Sequence, residues 1–261
     1  MVYVLTPDFV RYLSRRWKIR QKTVLSAAQR EFILLNRQNW KQCDRKKSEY
    51  DGFVLIEGLM AYGVNYLLRT GIIAKAVEEE LLLTPLVVFD SYIENEDGKI
   101  ALYKSFDIEV FESTQNYQTS YFQKIHNAIQ ALKFYRTVNK PEDLLILEYK
   151  GIVFGDLLYD TILKNTPGMV TLATISTNEL FYIYETLQLL CKYSRFLDKN
   201  AIKLFISTHS QYLTFGLLLR VCLSKNIPVF ETTDIQLFFH QKKQARWRHG
   251  SQPPSARRLP A

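Results

Sequence analysis

The sequence predicts an α/β protein with a doubly wound, mostly parallel sheet. Between residues 51 and 240, short runs rich in β-branched and aromatic residues alternate with longer stretches of helical apolar periodicity. Strands separated by helices of this length pair in parallel, because a parallel neighbour needs a crossover connection. The clearest β-α-β unit spans residues 203–233, where KLFISTHS and IPVFETT flank a helical stretch.

The predicted strands follow from composition and from the residues that interrupt it. The run FVLIEG at 53–58 is apolar and ends in glycine, and LVVFDSY at 86–92 has Asp90 near its end. Alternating apolar and acidic side chains predict a third strand at 106–113. The remaining strands are expected at residues 144–155, 203–210 and 227–233.

Helices fill the intervals between these strands. Apolar periodicity predicts helices over residues 62–83, 117–138, 156–165, 178–196 and 211–225. Thr84-Pro85 closes the first of them and Pro141 stops the second, since proline cannot continue a helix. Asp156 is the expected N-cap of the third.

The two ends of the chain differ in charge from its middle. Residues 1–50 carry 12 Lys and Arg against 4 Asp and Glu, and residues 241–261 carry 6 Lys and Arg and no acid. Since the whole chain has a net charge of +8, the body over residues 51–240 is mildly acidic. Nucleic-acid recognition needs basic residues gathered on a folded surface, so no nucleic-acid partner is expected.

The basic segment 1–50 is predicted to form one or two helices. Its candidate apolar side consists of Phe9, Leu13, Trp17, Leu25, Phe32, Leu35 and Trp40. One interpretation is a peripheral helix packed on the sheet with its charges in solvent. The other is a basic amphipathic surface that rests on anionic lipid.

The segment 241–261 is rich in Arg and Pro and is expected to be disordered. It has no apolar periodicity, so it cannot bury enough surface to offset the entropy of ordering. It is interpreted either as a functional basic arm or as sequence from a shifted or truncated reading frame.

The sequence lacks the patterns of several classes of site. Three cysteines without a C-x-x-C pair argue against a disulfide framework and a zinc site, and they favour a reducing, intracellular compartment. Cys191 and Cys222 lie in apolar helical patterns and are interpreted as core residues. Basic residues come too early for a signal peptide, and no apolar stretch is long enough to predict a membrane span. Dinucleotide, P-loop, nucleophile-elbow and metal-binding motifs are missing, so no cofactor and no metal are expected.

Ligands of open parallel α/β sheets bind beyond the carboxyl ends of the strands, and this rule selects four stretches. These are residues 57–58, 90–91, 150–156 and 207–210. Taken alone, Glu57 and Asp90 are interpreted as ordinary cap or turn acids. Residues 208–210 are more informative, because Thr208-His209-Ser210 places an imidazole and two hydroxyls where helix N–H groups favour an anion.

Two stretches resemble a known family. YKGIVFGDLLYDTILK (149–164) and FISTHSQYLTFGLLLRVCLSKNIPVFET (205–232) are similar, in the same order, to segments of bacterial glycosyltransferase-like proteins of capsule and surface-carbohydrate biosynthesis. The similarity extends from about residue 53 to residue 233. It implies the B-type architecture of two Rossmann-like domains, with residues 51–240 as the N-terminal one. Relatives continue into a donor domain, so the resemblance implies that this chain is truncated.

The resemblance implies a sugar transferase that acts on a growing surface glycan at the cytoplasmic side of the plasma membrane. Transfer needs a base for the acceptor hydroxyl and groups that stabilise the departing diphosphate. His209 and Asp156 are the candidates for the base. The candidates for substrate binding are Lys150, Gly155, Tyr212, Ser207 and Thr208. The expected partners are a glycan or lipid-linked acceptor and a peripheral membrane contact, with a nucleotide sugar only if a donor domain is supplied elsewhere.

A second class of function stays open. The chain could be a non-catalytic interaction protein that holds anionic membrane or nucleic acid through its basic ends. Salt-sensitive binding to anionic vesicles or DNA, without turnover of sugar nucleotides, would support this alternative.

Overall fold

A computed structural model describes residues 25–40, 51–58, 64–89, 96–166, 168, 170–232, 237–240 and 257–258. The helices are α1 (Ala27–Trp40), α2 (Val64–Leu81), α3 (Glu96–Lys104), α4 (Tyr121–Thr137), α5 (Pro141–Leu145), α6 (Gly155–Asn165), α7 (Thr177–Lys199) and α8 (Leu217–Ser224). The strands are β1 (Phe53–Glu57), β2 (Thr84–Phe89), β3 (Val110–Ser113), β4 (Glu148–Tyr149), β5 (Ile152–Val153), β6 (Ile202–Ser207), β7 (Val229–Thr232), β8 (Leu237–His240) and β9 (Arg257–Arg258). A 3₁₀ turn covers Thr114–Tyr117, and a π-helix covers Tyr212–Gly216.

The main sheet is mostly parallel and doubly wound. Its strand order is β3-β2-β1-β6-β7-β8-β9, and the first five of these strands run in parallel. The chain moves from β1 outward to β3 on one side and from β6 outward to β8 on the other. The order therefore reverses between β1 and β6. This is the Rossmann-like α/β fold that the sequence predicts.

Described residues of the chain fall into two compact units. The sheet unit holds residues 25–116, 196–209 and those from 222 onward, and so contains the whole main sheet. The helical unit holds residues 117–195 and 210–221, with the small β4–β5 hairpin. The region predicted as one domain, residues 51–240, contributes to both units.

One face of the main sheet packs against α1, α2 and α3. Val54, Ile56 and Ile206 from the sheet are fully buried in a cluster with Ala74 of α2 and Tyr103 of α3. These strand residues alternate with the ones that face the opposite side, as the pleat requires.

Helix α1 is held on the same cluster by aromatic contacts. The rings of Phe32 and Trp40 lie 6.1 Å and 5.9 Å from the ring of Phe106, and Ile33 is buried. Asn36 donates to Ser105 Oγ at 2.9 Å. Over Ala27–Trp40, the N-terminal segment is thus a peripheral helix packed on the core.

The two motif segments meet inside the helical unit. Thr161 Oγ1 of α6 accepts a hydrogen bond from the Leu213 N–H at 2.9 Å. A Cβ added at Gly216 would lie 2.6 Å from the Leu157 side chain, so the backbone there approaches α6 closely. The first segment therefore packs along the second.

The predicted strand over residues 144–155 is wrong. Residues 141–145 form α5, and two short antiparallel strands then form a hairpin. Lys150 and Gly151 form its turn with φ values of 53° and 79°, which is the two-residue turn that Gly at its second position favours. The apolar run is misleading because the Lys-Gly turn signal lies in its middle.

Asp156 is not the N-cap of its helix. The cap position belongs to Phe154, and α6 begins at Gly155, so Asp156 lies in the first turn. Gly155 begins the helix because its backbone packs directly against the carbonyl of Leu144, where a Cβ would overlap the oxygen.

The other predicted strands and helices are present with shifted ends. The strand expected at 106–113 covers only Val110–Ser113, and the helix expected at 211–225 begins as a π-helix. Asp90 and Ser91 lie outside the described residues. The predicted disordered tail also lies outside them, except Arg257–Arg258, which pair with β8. No helix among the described residues is long and apolar enough to cross a bilayer.

Replacing Gly155 with Ala should destabilise the helical unit by at least about 2 kcal/mol, because the new methyl group overlaps the Leu144 carbonyl. Gly151→Ala is the matched control, since no atom lies within 4 Å of its Cβ position and only the positive φ is unfavourable. Urea unfolding followed by circular dichroism measures both. Equal effects of about 1 kcal/mol would contradict the packing argument.

Candidate active site at the carboxyl ends of β1 and β6

The candidate site lies where the strand order of the sheet reverses. Glu57 is the last residue of β1, and Ser207 is the last residue of the neighbouring strand β6. Ile56 pairs with Ile206, so the next two residues stand side by side on the same face. In sheets of this kind the crevice at the reversal point binds ligands.

Glu57 is a buried carboxyl held through one of its two oxygens. Its Oε2 atom accepts from Ser207 Oγ at 3.0 Å, from the Thr208 N–H at 2.9 Å and from Thr208 Oγ1 at 3.1 Å. Only 1% of the residue is exposed. Its Oε1 atom is also buried and has no hydrogen-bond partner among the residues that the structure describes. A buried carboxyl oxygen without a partner is energetically unfavourable, and a ligand that donates to it would remove that deficit.

Burial raises the pKa of Glu57 to about 7. The three hydrogen bonds from Thr208 and Ser207 act in the opposite direction, because they stabilise the ionised form. The negative charge of Glu231 adds to the increase. A carboxyl with this pKa gains and loses its proton near neutral pH, which is the range a general base needs.

The Ser207 hydroxyl lies between the Glu57 carboxyl and the loop that follows β6, and its hydrogen bonding depends on whether Glu57 is protonated. Its Oγ lies 3.0 Å from Glu57 Oε2 and 2.9 Å from the carbonyl oxygen of His209. A hydroxyl has one proton and donates it to one acceptor at a time. The ionised carboxylate attracts that proton, whereas the protonated carboxyl can donate to Ser207 and leave the hydroxyl for His209.

A second buried acid stands on the next strand. Glu231 of β7 pairs in register with Ser207 and is 8% exposed. His240 Nε2 of β8 lies 3.1 Å from Glu231 Oε2. Strands β1, β6 and β7 thus bring two carboxyls and a hydroxyl to one face of the sheet, and β8 adds the His240 imidazole beside Glu231.

A buried lysine lies at the end of β1. The Lys99 ammonium of α3 donates to the carbonyl oxygen of Gly58 at 3.2 Å, and the residue is 4% exposed. A Cβ at Gly58 would lie 2.7 Å from the Phe89 ring and from the carbonyl oxygen of Val88. Gly58 therefore lets the backbone pass closely beside β2, directly after Glu57.

Of the sequence-predicted site residues, Ser207, Thr208 and His209 lie in the sheet unit. Ser207 and Thr208 are buried and bind Glu57, while His209 is half-buried. Both hydroxyls are candidates for substrate binding on the basis of the sequence, but in the structure both donate to the Glu57 carboxyl.

The other predicted site residues lie in the helical unit. Asp156 is bound by Arg220 through two hydrogen bonds, of 2.5 Å and 2.6 Å. Burial alone would raise its pKa, but the hydrogen bonds and charge of Arg220 hold the pKa below its usual value. This carboxylate is therefore a weak base. Its predicted convergence with His209 stays a prediction, because the two residues belong to different units.

Lys150, Gly155 and Tyr212 have distinct positions in that unit. Lys150 is exposed at the hairpin turn with its ammonium over the ring of Tyr149, and Gly155 is buried in packing. Tyr212 begins the π-helix at a φ of 61°, which a bulky side chain rarely adopts. The Lys164 ammonium lies 4.0 Å from the centre of its ring.

Sequence reasoning missed the central role of Glu57 and did not select Lys99, Glu231 or His240. The available signal was that three apolar runs end in a polar side chain, in FVLIE, KLFIS and VFE. What the sequence cannot supply is the strand order, which makes β1 a neighbour of β6 and β6 a neighbour of β7.

Cys222 is fully buried and its pKa is raised by burial, consistent with the core role inferred from its pattern. In the described ranges, no cluster of three His, Cys, Asp or Glu could hold a metal ion.

Comparison of the chain with protein-family models and with curated proteins gave no match.

Replacing Glu57 with Gln should remove a pH-dependent loss of stability. The folded chain keeps the Glu57 proton up to a pKa of about 7, whereas the unfolded chain releases it near 4.5. Between these values the folded state binds the extra proton, so its stability falls as pH rises. The free energy of unfolding should drop by about 3 kcal/mol across this window, and the drop should be absent in the variant.

Urea unfolding at pH 5 and pH 8 measures this difference. Glu148→Gln, which changes an exposed carboxyl on β4, is the control and should keep the wild-type pH dependence. The same pH dependence in wild type and Glu57→Gln would show that the buried carboxyl is not protonated in the folded chain.

Replacing Asp156 with Asn should destabilise the helical unit by about 2 kcal/mol, because it leaves the Arg220 guanidinium, which is only 10% exposed, without its anion. Asp198→Asn, which breaks the more exposed pair with Lys225, should change stability by less than about 1 kcal/mol. Thermal unfolding of both variants tests the difference. A catalytic Asp156 without structural importance would instead leave the melting temperature unchanged.

Proposed function

We propose that this chain is a glycosyltransferase-like protein of surface-polysaccharide biosynthesis, and that the carboxyl ends of β1 and β6 hold its acceptor sugar. The single observation that carries the proposal is Glu57 at the reversal point of a Rossmann-like sheet. It is a buried carboxyl with a pKa of about 7, and one of its oxygens has no partner within the described part of the chain. The resemblance of residues 149–164 and 205–232 to such proteins supplies the reaction class.

Glu57 is suited to bind and deprotonate a sugar hydroxyl. The three donors on Oε2 fix the carboxyl in one orientation and leave Oε1 for a ligand. A hydroxyl that donates to Oε1 would satisfy it. With its pKa near the pH of a cytoplasm, the carboxyl is partly ionised before reaction and can take up a proton during it.

The transfer step then balances with a nucleotide sugar as the second reactant. The acceptor oxygen forms a bond to the anomeric carbon of the donor, and the bond from that carbon to the phosphate oxygen breaks. The diphosphate leaves with the electron pair, and the acceptor proton goes to Glu57 Oε1. We assign no part of the sheet unit to the nucleotide of the donor.

The proposal replaces the two bases considered from the sequence. Asp156 is held ionised by Arg220, which weakens it as a base. The backbone N–H of His209 donates to the Ser207 hydroxyl, which in turn donates to Glu57, so we assign His209 a positioning role at the loop after β6. The proposed setting is cytoplasmic, at the inner face of the plasma membrane.

The alternative function, binding of anionic membrane or nucleic acid through the basic ends, rests on segments that lie mostly outside the described residues. We therefore keep the glycosyltransferase-like proposal as the principal one.

Sugar binding should depend on pH through Glu57. With a panel of methyl glycosides and saturation-transfer NMR, the full chain should bind at least one glycoside about five- to tenfold more tightly at pH 8 than at pH 5, because the ionised carboxylate is the stronger acceptor. Glu57→Gln should remove this pH dependence, whereas the control Glu148→Gln should keep it. Nucleotide-sugar turnover, where the chain supports it, should fall about 10²- to 10⁴-fold in Glu57→Gln with little change in KM.

Two outcomes would overturn the proposal. One is that no glycoside binds to the folded chain at either pH. The other is that glycosides bind equally well to wild type and Glu57→Gln at both pH values, which would place the sugar elsewhere.

A further inference from the structure

Helix α4 exposes an apolar stripe on the side away from its packing face. Its packing face is set by Asn127, which donates to the Leu187 carbonyl of α7 at 3.3 Å, and by Ala131, which is 1% exposed. Phe134 adds edge contacts with the rings of Tyr149 and Phe154. These contacts orient the helix within the helical unit.

The stripe consists of five large apolar side chains that remain in solvent. Their exposed fractions are 74% for Tyr121, 82% for Phe122, 43% for Ile125, 51% for Ile129 and 38% for Leu132. Spacings of three and four residues place them along one face of the helix. Single exposed apolar residues are ordinary, but a continuous row of five marks an interaction surface.

The charged side chains around the stripe, those of Lys124, Lys133 and Arg136, are all positive. Lys124 lies along one border, and His126 and Lys133 lie along the other, at the angles that 3.6 residues per turn give them. Arg136 continues the line of the stripe at its C-terminal end, one turn after Leu132. All four side chains are exposed. Between Glu112 and Glu142 the chain contains no acidic residue.

We propose that α4 rests on an anionic lipid surface, with its apolar stripe inserted between headgroups and its bases on the lipid phosphates. An apolar stripe bordered by basic residues is the pattern of helices that lie in the membrane interface. Basic side chains near such a surface gain from its negative potential, and the segment between Glu112 and Glu142 contributes no carboxylate that the lipid would repel. The charge complementarity selects an anionic bilayer over a neutral protein groove. This inference does not depend on the role of Glu57.

Vesicle cosedimentation with the full chain tests the proposal. Wild type should bind vesicles of phosphatidylglycerol and phosphatidylcholine more strongly than vesicles of phosphatidylcholine alone, and less strongly as salt rises. The variant Phe122→Ser/Ile125→Ser/Ile129→Ser should lose about 30-fold or more in partitioning, since it removes most of the inserted apolar surface. These positions are exposed, so the variant should keep the wild-type melting temperature.

Matched controls separate the stripe from the rest of the surface. Ile146→Ser/Val170→Ser removes apolar side chains that are 76% and 91% exposed in the same unit, and it should bind like wild type. Lys133→Gln should weaken binding about fivefold, whereas Lys104→Gln, on α3, should not. A Phe122→Trp variant should show additional fluorescence quenching by brominated lipid, which binding through the chain ends would not produce.

Three results would overturn the inference. The first is a wild type that fails to sediment with anionic vesicles, and the second is a stripe variant that binds them as wild type does. The third is a self-associating wild type whose dimer is broken by the stripe variant, with no vesicle binding, which would assign the stripe to a second copy of the chain.

Discussion

The pairing of β1 with β6 is the constraint on which the sheet unit depends. Glu57 and Ser207 at the ends of these strands are 150 residues apart in sequence, so their pairing closes a long stretch of chain. Closing such a long stretch lowers the conformational entropy of the chain, and burial offsets this loss. Leu55 and Phe205 are fully buried on the face opposite the α1–α3 cluster, and the strand residues within the cluster are buried as well. The other strands of the main sheet add outward from this pair, which makes its carboxyl end the point where the strand order reverses.

The same pairing sets the chemistry of the candidate site. A shift of β6 by one residue would turn Ser207 to the other face and remove Thr208 from Glu57. The fixed register instead brings three donors to one oxygen of a carboxyl that burial would otherwise hold neutral. Desolvation outweighs the hydrogen bonds there, and what remains of its effect places the pKa of Glu57 near neutrality. In a more open site the Glu57 carboxyl would be ionised at neutral pH, and without these donors it would remain protonated.

Local signals predicted most of the fold, and long-range contacts account for the errors. Continuous apolar runs identified β1, β2, β6 and β7, because strands buried on both faces have that composition whatever their neighbours. The run at 144–155 has the same composition, but its apolar residues are shared among α5, a hairpin and the cap of α6. Glu57 resembles a turn acid in the sequence, because its importance comes from hydrogen bonds with Ser207 and Thr208. No local pattern connects those residues to it. The role of Asp156 depends in the same way on a partner 64 residues away.

The motifs and the site therefore carry different kinds of information. Gly155 and Asp156 of the first motif fit against Leu144 and Arg220, and Gly216 of the second approaches Leu157. Any chain with this packing needs a small residue at position 155 and a partner for Arg220 at position 156, whether or not the chain transfers sugar. A resemblance built on such residues is thus informative about architecture more than about reaction. The chemistry of the chain depends on groups that packing does not explain. Glu57 Oε1, which has no partner among the described residues, is such a group, because a glutamine or an apolar residue would fill the same space without the desolvation of a carboxyl.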